Sequence, residues 1–210
     1  MRLPSDAALL VIDVQIASDD PKWGPRNNPG AEAAIAALLA VWREEGLPIF
    51  HIRHDSEEPR SPYRPDSPGH PFKPEAAPLP GEPVMAKRTH SAFVDTGLEA
   101  ALDAIGATTL VVCGVLTQNS VEATVRAAAD IGYRMFLVGD ACWAVDVRDL
   151  RGRLWPAEEV HALSLANLHG EYAEVVACET ALAAGGRAKA RQRWAERRRG
   201  GGAQADIARG

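Results

Sequence analysis

Short, continuously apolar runs alternate along the chain with longer stretches in which apolar residues recur at helical spacing. Residues 7–14 are apolar except for Asp13, and residues 48–52, 109–113 and 134–138 are shorter runs of the same kind. Each predicts a buried strand of a parallel sheet. Between them, residues 30–45 are rich in Ala and Leu and stop at Gly46, residues 96–105 stop at Gly106, and residues 121–131 stop at Gly132. These predict helices closed by glycine, and residues 157–168, behind Pro156, predict another. A last short strand is expected around residues 174–178. Strands spaced by helices predict an α/β fold, a three-layer α/β/α sandwich with a mostly parallel sheet.

Composition narrows this to one domain with an added tail. A chain of 210 residues with 46% hydrophobic residues suffices for a full core. No apolar run approaches the roughly 18–20 residues a membrane span needs. Residues 1–6 carry no secretory pattern, and Cys113, Cys142 and Cys178 lack Cys-x-x-Cys spacing. A cytoplasmic protein with reduced, buried thiols is the expectation. The net charge is −5, yet from residue 185 onward eight basic residues, Arg187, Lys189, Arg191, Arg193, Arg197, Arg198, Arg199 and Arg209, face Glu196 and Asp206 alone. The reading is an acidic domain over residues 1–184 and a basic, Gly/Arg-rich tail over 185–210. With Trp194 as its single aromatic, the tail lacks the stacking residues of a single-strand binder, so neither a nucleic-acid nor a membrane partner is expected.

Residues 55–83 hold nine prolines, and Pro59, Pro62, Pro65, Pro68, Pro71 and Pro74 recur at every third position. Three residues per turn is the polyproline II period, which predicts an extended strip with those rings along one edge. A segment this long without periodic structure is expected to serve the site, as a stiff loop roofing a pocket.

The chemistry gathers at residues 114–120, Gly-Val-Leu-Thr-Gln-Asn-Ser, between a predicted strand and a predicted helix. Backbone N–H groups at a helix start are unpaired and can hold an oxyanion. Asp13 ends an apolar run, where a carboxylate is tolerated at the carboxyl edge of a parallel sheet. Lys87 follows residues 83–86, Pro-Val-Met-Ala. Taken singly, each has a plain structural reading: a loop cap for Asp13, a solvent-reaching lysine, an N-cap for Ser120.

Together they resemble the isochorismatase-like hydrolases, or cysteine hydrolase superfamily. The resemblance runs over about residues 6–180. It is carried by Leu10-Val11-Ile12-Asp13-Val14-Gln15, by Lys87 with Ser91-Ala92-Phe93, by Gly114-Val115-Leu116-Thr117 with Ser120-Val121, by Arg126-Ala127-Ala128, and by Gly132-Tyr133 and Gly139-Asp140-Ala141. The distal piece, residues 159–168 with His161, is similar to one branch of the same family. It implies Asp13 as general base and later acid, Lys87 as the cation stabilising developing charge, and residue 120 as the group attacking a carbonyl. It further implies an oxyanion hole from the N–H groups of Leu116 and Ser120, with a cis peptide before Leu116, and substrate contacts from Gln15, Thr117 and Phe93. A small-molecule substrate with a C–N or enol-ether C–O bond and assembly as a homodimer or homotetramer complete the expectation.

The chain departs from the family at residue 120, where most amidases of the superfamily carry cysteine. A thiol ionises near pH ~8.5 and a nearby cation readily makes it a thiolate, whereas a serine needs its base in contact. Three roles stay open for Ser120: nucleophile, orienter of an attacking water, or relic of a silent ligand-binding protein. Metal-binding members carry Asp-x-His after the second strand. His51-Ile52-Arg53-His54-Asp55 does not match, so no metal and no cofactor are expected. His54 reads as a pocket-wall or structural residue and His161 as a packing or interface residue.

Overall fold

The computed structural model describes residues 3–4 and 6–186. Its sheet is built from β1 (Ala8–Ile12), β2 (Ile49–His54), β3 (Val84–Lys87), β4 (Thr109–Val115), β5 (Arg134–Trp143) and β8 (Glu174–Val176), in the order β3-β2-β1-β4-β5-β8. Every pairing is parallel. A separate hairpin joins β6 (Val147–Arg148) to β7 (Leu154–Trp155). Five helices complete the layers: α1 (Ala31–Glu45), α2 (Leu98–Ala104), α3 (Glu122–Asp130), α4 (Ala157–Leu168) and α5 (Cys178–Gly185). Among the described residues, no helix is long and apolar enough to cross a membrane.

The period of two in β1 divides the core. Leu9 and Val11 enter one cluster with Ile35, Leu38 and Trp42 of α1 and Ala181 of α5. Ala8, Leu10 and Ile12 enter the other with Leu98 and Leu102 of α2, Val125 of α3 and Leu168 of α4. Both faces of β1 are therefore apolar, which is why its sequence shows no alternation. The α/β/α sandwich expected from the sequence is the fold observed.

Three features differ from the sequence reading. Pairing carries β5 to Trp143, past Gly139, with a register shift against β4 between Val112 and Gly114. The expected last strand is present as β8 but ends at Val176, and Cys178 already begins α5. Gly185 thus belongs to that helix, where a Cβ would come within 2.8 Å of the Trp42 ring. The rest of the proposed tail, from Arg187, lies outside the described residues.

The proline segment is the main correction. Its period of three produces consecutive β-turns, not a polyproline strip. N–H groups of Ser61, Arg64, Ser67 and His70 donate to the carbonyls of Glu58, Ser61, Arg64 and Ser67 at 2.9–3.3 Å. Pro59, Pro62, Pro65 and Pro68 each occupy the second turn position, for which a proline ring is preset. Each turn begins where the last one ends, so the segment folds back on itself. Gln15 clips it to the sheet: its Nε2 donates to the carbonyls of His54 and His70, and its Oε1 accepts from the His54 N–H.

Ionic clusters hold the outer parts of the structure. Glu82 accepts from Arg43 Nε at 2.7 Å and Nη2 at 2.9 Å, and it lies 2.8 Å from His51 Nε2. The Arg43 bonds bring its carboxyl from 4.5 down to about 2, against the opposing effect of burial. Burial would raise Glu32, but hydrogen bonds from Arg26 and Lys73 take it to about 2 as well. Both carboxyls are depressed in the folded state, so the unfolded chain takes up protons first. Their stabilisation is complete above pH 4.5 and is lost as the pH falls toward 2. Glu82→Gln should therefore flatten the fall of the thermal midpoint across that window. Parallel midpoint curves for variant and wild type would contradict this account.

Candidate active site

The chain runs outward from β1 to β3, then returns to place β4 on the other side of β1. At this switch point the segments leaving β1 and β4 diverge and open a crevice at the carboxyl edge of the sheet. Gly114 sets how closely the two strands approach. Its φ is 122°, and a Cβ there would lie 2.2 Å from the Ile12 carbonyl oxygen. Beyond it the Val115–Leu116 peptide is cis, and residues Thr117–Val121 form a π-type turn leading into α3.

Asp13 follows β1 with φ 53° and its N–H bonded to the Ile52 carbonyl at 2.9 Å. Lys87 ends β3 and is 1% exposed, and Asp13 is 3% exposed. The lysine Nζ lies 2.7 Å from Asp13 Oδ2, donates to Ser120 Oγ at 3.1 Å, and donates to the Thr89 carbonyl at 3.0 Å. All three ammonium protons are thereby engaged. Ser120 Oγ accepts a hydrogen bond from the lysine and keeps its own proton to donate. Asp13 Oδ1 is buried without a hydrogen-bond partner. The site thus holds one free acceptor beside one free hydroxyl proton.

Asp13, Leu116 and Ser120 line a cavity of about 570 Å³. Its outer wall includes Trp23, Ser56, Arg60, Tyr63 and His90. Tyr63 and Ser56 come from the proline segment, so that segment does wall the crevice. The Tyr63 ring meets the Trp23 ring at 6.3 Å between centroids and the His54 ring at 5.6 Å.

Of the residues expected to contact substrate, Leu116 and Ser120 line the cavity and three others are engaged elsewhere. Gln15 is fully buried with both ends of its amide on backbone groups. Thr117 is fully buried, with Oγ1 2.8 Å from His161 Nδ1. Phe93 is partly buried and packs with Tyr133 against the core cluster of α2 and α3. All three mark the frame around the site.

His54 is the cavity residue that sequence reasoning placed only loosely. It is the register partner of Lys87 across β2 and β3, so both side chains rise from the same face. Burial and then the Lys87 ammonium push its imidazole below the usual range, against the pull of Asp13. A neutral imidazole therefore stands beside the Asp–Lys pair at neutral pH. Only the pairing of β2 with β3, invisible in sequence, puts it there.

None of the three cysteines replaces the family thiol. All are buried and none lines the cavity. Burial pushes the Cys142 thiol up to about 12 and Cys178 to about 11, so neither supplies a thiolate at neutral pH.

Comparison with known proteins agrees with this architecture. Residues 7–180 match the isochorismatase domain. The chain belongs to the isochorismatase family. That family is one of hydrolases. A solved isochorismatase-family structure from Chromobacterium violaceum is 57% identical, with a TM-score of 0.86 over 89% of this chain and 97% of that one. The isochorismatase family protein YrdC of Bacillus subtilis is 37% identical over 80% of this chain and 90% of its own length. Streptothricin hydrolase of Streptomyces noursei is 38% identical over 67% of this chain and 50% of its own length.

The close approach of β1 and β4 gives a direct test. Gly114→Ala must either displace the end of β1, which carries Asp13, or distort its own strand at positive φ. A loss of about 3 kcal/mol or more is expected in urea unfolding, with any hydrolysis falling in parallel. A wild-type unfolding midpoint would mean that β1 yields there without cost.

Proposed function

We propose that this protein hydrolyses the C–N bond of a small carboxamide or ureido substrate, with Ser120 as nucleophile and Asp13 as proton carrier. The supporting observation is the arrangement around Lys87: one ammonium holds Asp13 Oδ2 and Ser120 Oγ while Asp13 Oδ1 remains without a partner. The choice of a C–N bond is supported by more distant relatives named as a nicotinamidase and a ureidoacrylate amidohydrolase.

In this reading a substrate carbonyl enters the cavity beside Leu116 and Ser120. Ser120 Oγ attacks the carbonyl carbon and its proton passes to Asp13. Contacts of this kind often tighten only when substrate is bound. The N–H groups of Leu116 and Ser120 hold the oxyanion, a contribution of about 3–4 kcal/mol per donor in comparable sites. Asp13 then returns the proton to the leaving nitrogen, and an acyl–Ser120 ester remains. Water attacks that ester with Asp13 again as base, releasing the acid and restoring the serine. Lys87 stays charged throughout and fixes both partners.

A second reading follows from the direction of the Lys87 bond. An ammonium donating into Ser120 Oγ draws electron density from that oxygen and weakens its attack. Ser120 would then orient a water for Asp13, the route suited to an enol-ether C–O bond.

Position 120 separates the two. With Ser120 as nucleophile, Ser120→Ala and Asp13→Asn each lower kcat by about a thousandfold or more. With water attacking directly, Ser120→Ala costs one orienting hydrogen bond, about 1–1.5 kcal/mol or roughly tenfold, while Asp13→Asn stays severe. A panel of carboxamides, N-carbamoyl compounds and aryl esters supplies the substrate. Full activity in Asp13→Asn would end both readings.

A further inference from the structure

We propose that His161 is a positioning residue for the turn that carries Leu116 and Ser120, fixing it from the far side through Thr117. The proposal rests on the reading of that turn as the hydrolytic one. His161 sits on α4, is 6% exposed and does not line the cavity. Its Nδ1 lies 2.8 Å from Thr117 Oγ1, and its Nε2 lies 3.3 Å from Asn28 Nδ2. Thr117 is the residue directly after the cis-linked Leu116, and it begins the turn that ends at Val121.

The turn needs outside support. A π-type turn is wider than an α-helical one and is rarely stable on its own. Inside it, the N–H groups of Asn119 and Val121 both converge on the Leu116 carbonyl, at 3.0 and 3.3 Å. The Thr117 hydroxyl is fully buried, and its tie to His161 satisfies it. The Thr117 tie stands in either neutral tautomer, because a hydroxyl can donate or accept, whereas the contact with the Asn28 amide N–H needs Nε2 as the acceptor and so the proton on Nδ1. Burial holds the ring below the usual histidine range, so the neutral form is the one present at neutral pH.

The other end of the imidazole reaches the loop that precedes α1. Asn28, at φ 45°, donates from Nδ2 to the Cys142 carbonyl at 2.7 Å. Next to it, Asn27 exchanges hydrogen bonds with Ala144, receiving its N–H at Oδ1 at 2.8 Å. The same loop supplies Lys22 and Trp23 to the cavity. His161 therefore bridges the wall that meets substrate and the turn that reacts with it. A displacement of about 1 Å in such a turn is enough to cost roughly a hundredfold in rate.

The experiment pairs two isosteres. Asn at 161 places its amide where Nδ1 lies and can still bond Thr117; Gln places its amide where Nε2 lies and cannot. With a turned-over substrate, His161→Gln should lower kcat by about tenfold to a hundredfold with KM little changed, while His161→Asn retains most of kcat. Thr117→Val should match His161→Gln, and the double variant should be no worse than either, as expected for groups acting as a unit. A second readout needs no turnover. In a Ser120→Cys background the new thiol beside Lys87 is labelled by iodoacetamide at neutral pH, and His161→Gln should slow that labelling several-fold while His161→Asn does not. Equal labelling rates for Asn and Gln at 161 would overturn the proposal and leave the Ser120 reading standing. Full activity of Ser120→Ala would instead remove the nucleophile reading without touching the labelling result.

Discussion

One buried ammonium governs this structure. Lys87 is carried on the edge strand β3, yet its Nζ lies within hydrogen-bond distance of Asp13 after β1 and of Ser120 after β4. Burying a charge is costly unless it is paired and its remaining protons are satisfied. Here a carboxylate, a hydroxyl and the Thr89 carbonyl do so. Removing one partner from such an arrangement leaves an uncompensated charge, at a cost of about 3–5 kcal/mol. The segments that follow β1 and β4 are therefore bound to the end of β3 by one buried group. In the proposed reaction, stability and reactivity would draw on the same contact.

The surroundings follow from that constraint. A second cation beside Lys87 would weaken the pair, and His54, its register partner, is held neutral by burial and by the lysine itself. The Asp13 carboxylate can stand where it does because Gly114 lets β4 close on Ile12 without a side chain between them. Gln15, two residues beyond Asp13, binds the far end of β2 and the proline segment. The clip and the ion pair thus share one short stretch after β1. The consecutive proline turns then hold Tyr63 against His54 and Trp23, giving the crevice a stiff aromatic wall.

The errors of the sequence reading share a cause. A proline every third residue is equally compatible with an extended strip and with turns that share their end residues. Local composition does not choose between them. The turns prevail because the segment is anchored at both ends and pulled inward. The N–H of Ala17 donates to the Gly69 carbonyl at 2.7 Å, and a Cβ at Gly69 would come within 2.7 Å of the Pro62 carbonyl. Likewise Gln15, Thr117 and Phe93 carry the family's pattern, but that pattern marks residues that shape the crevice as well as those facing it. Distinguishing the two requires knowing which side chains are already bonded.

What the sequence by itself determined was the layered α/β fold, through strands apolar on both faces and helices closed by glycine. It also singled out Asp13, Lys87 and Ser120, though only through their joint resemblance to a family pattern, since each taken alone has a plain structural reading. Tertiary structure alone decided how those ends meet. The strand order puts β1 beside β4 and sets β2 between β1 and β3, and nothing local encodes strand order. It also made partners of His161 and Thr117, 44 residues apart, and of Asn28 and Cys142, 114 apart. Such contacts depend on packing between layers, where burial and a single hydrogen bond select the partner. A sequence read along its length has no access to that selection.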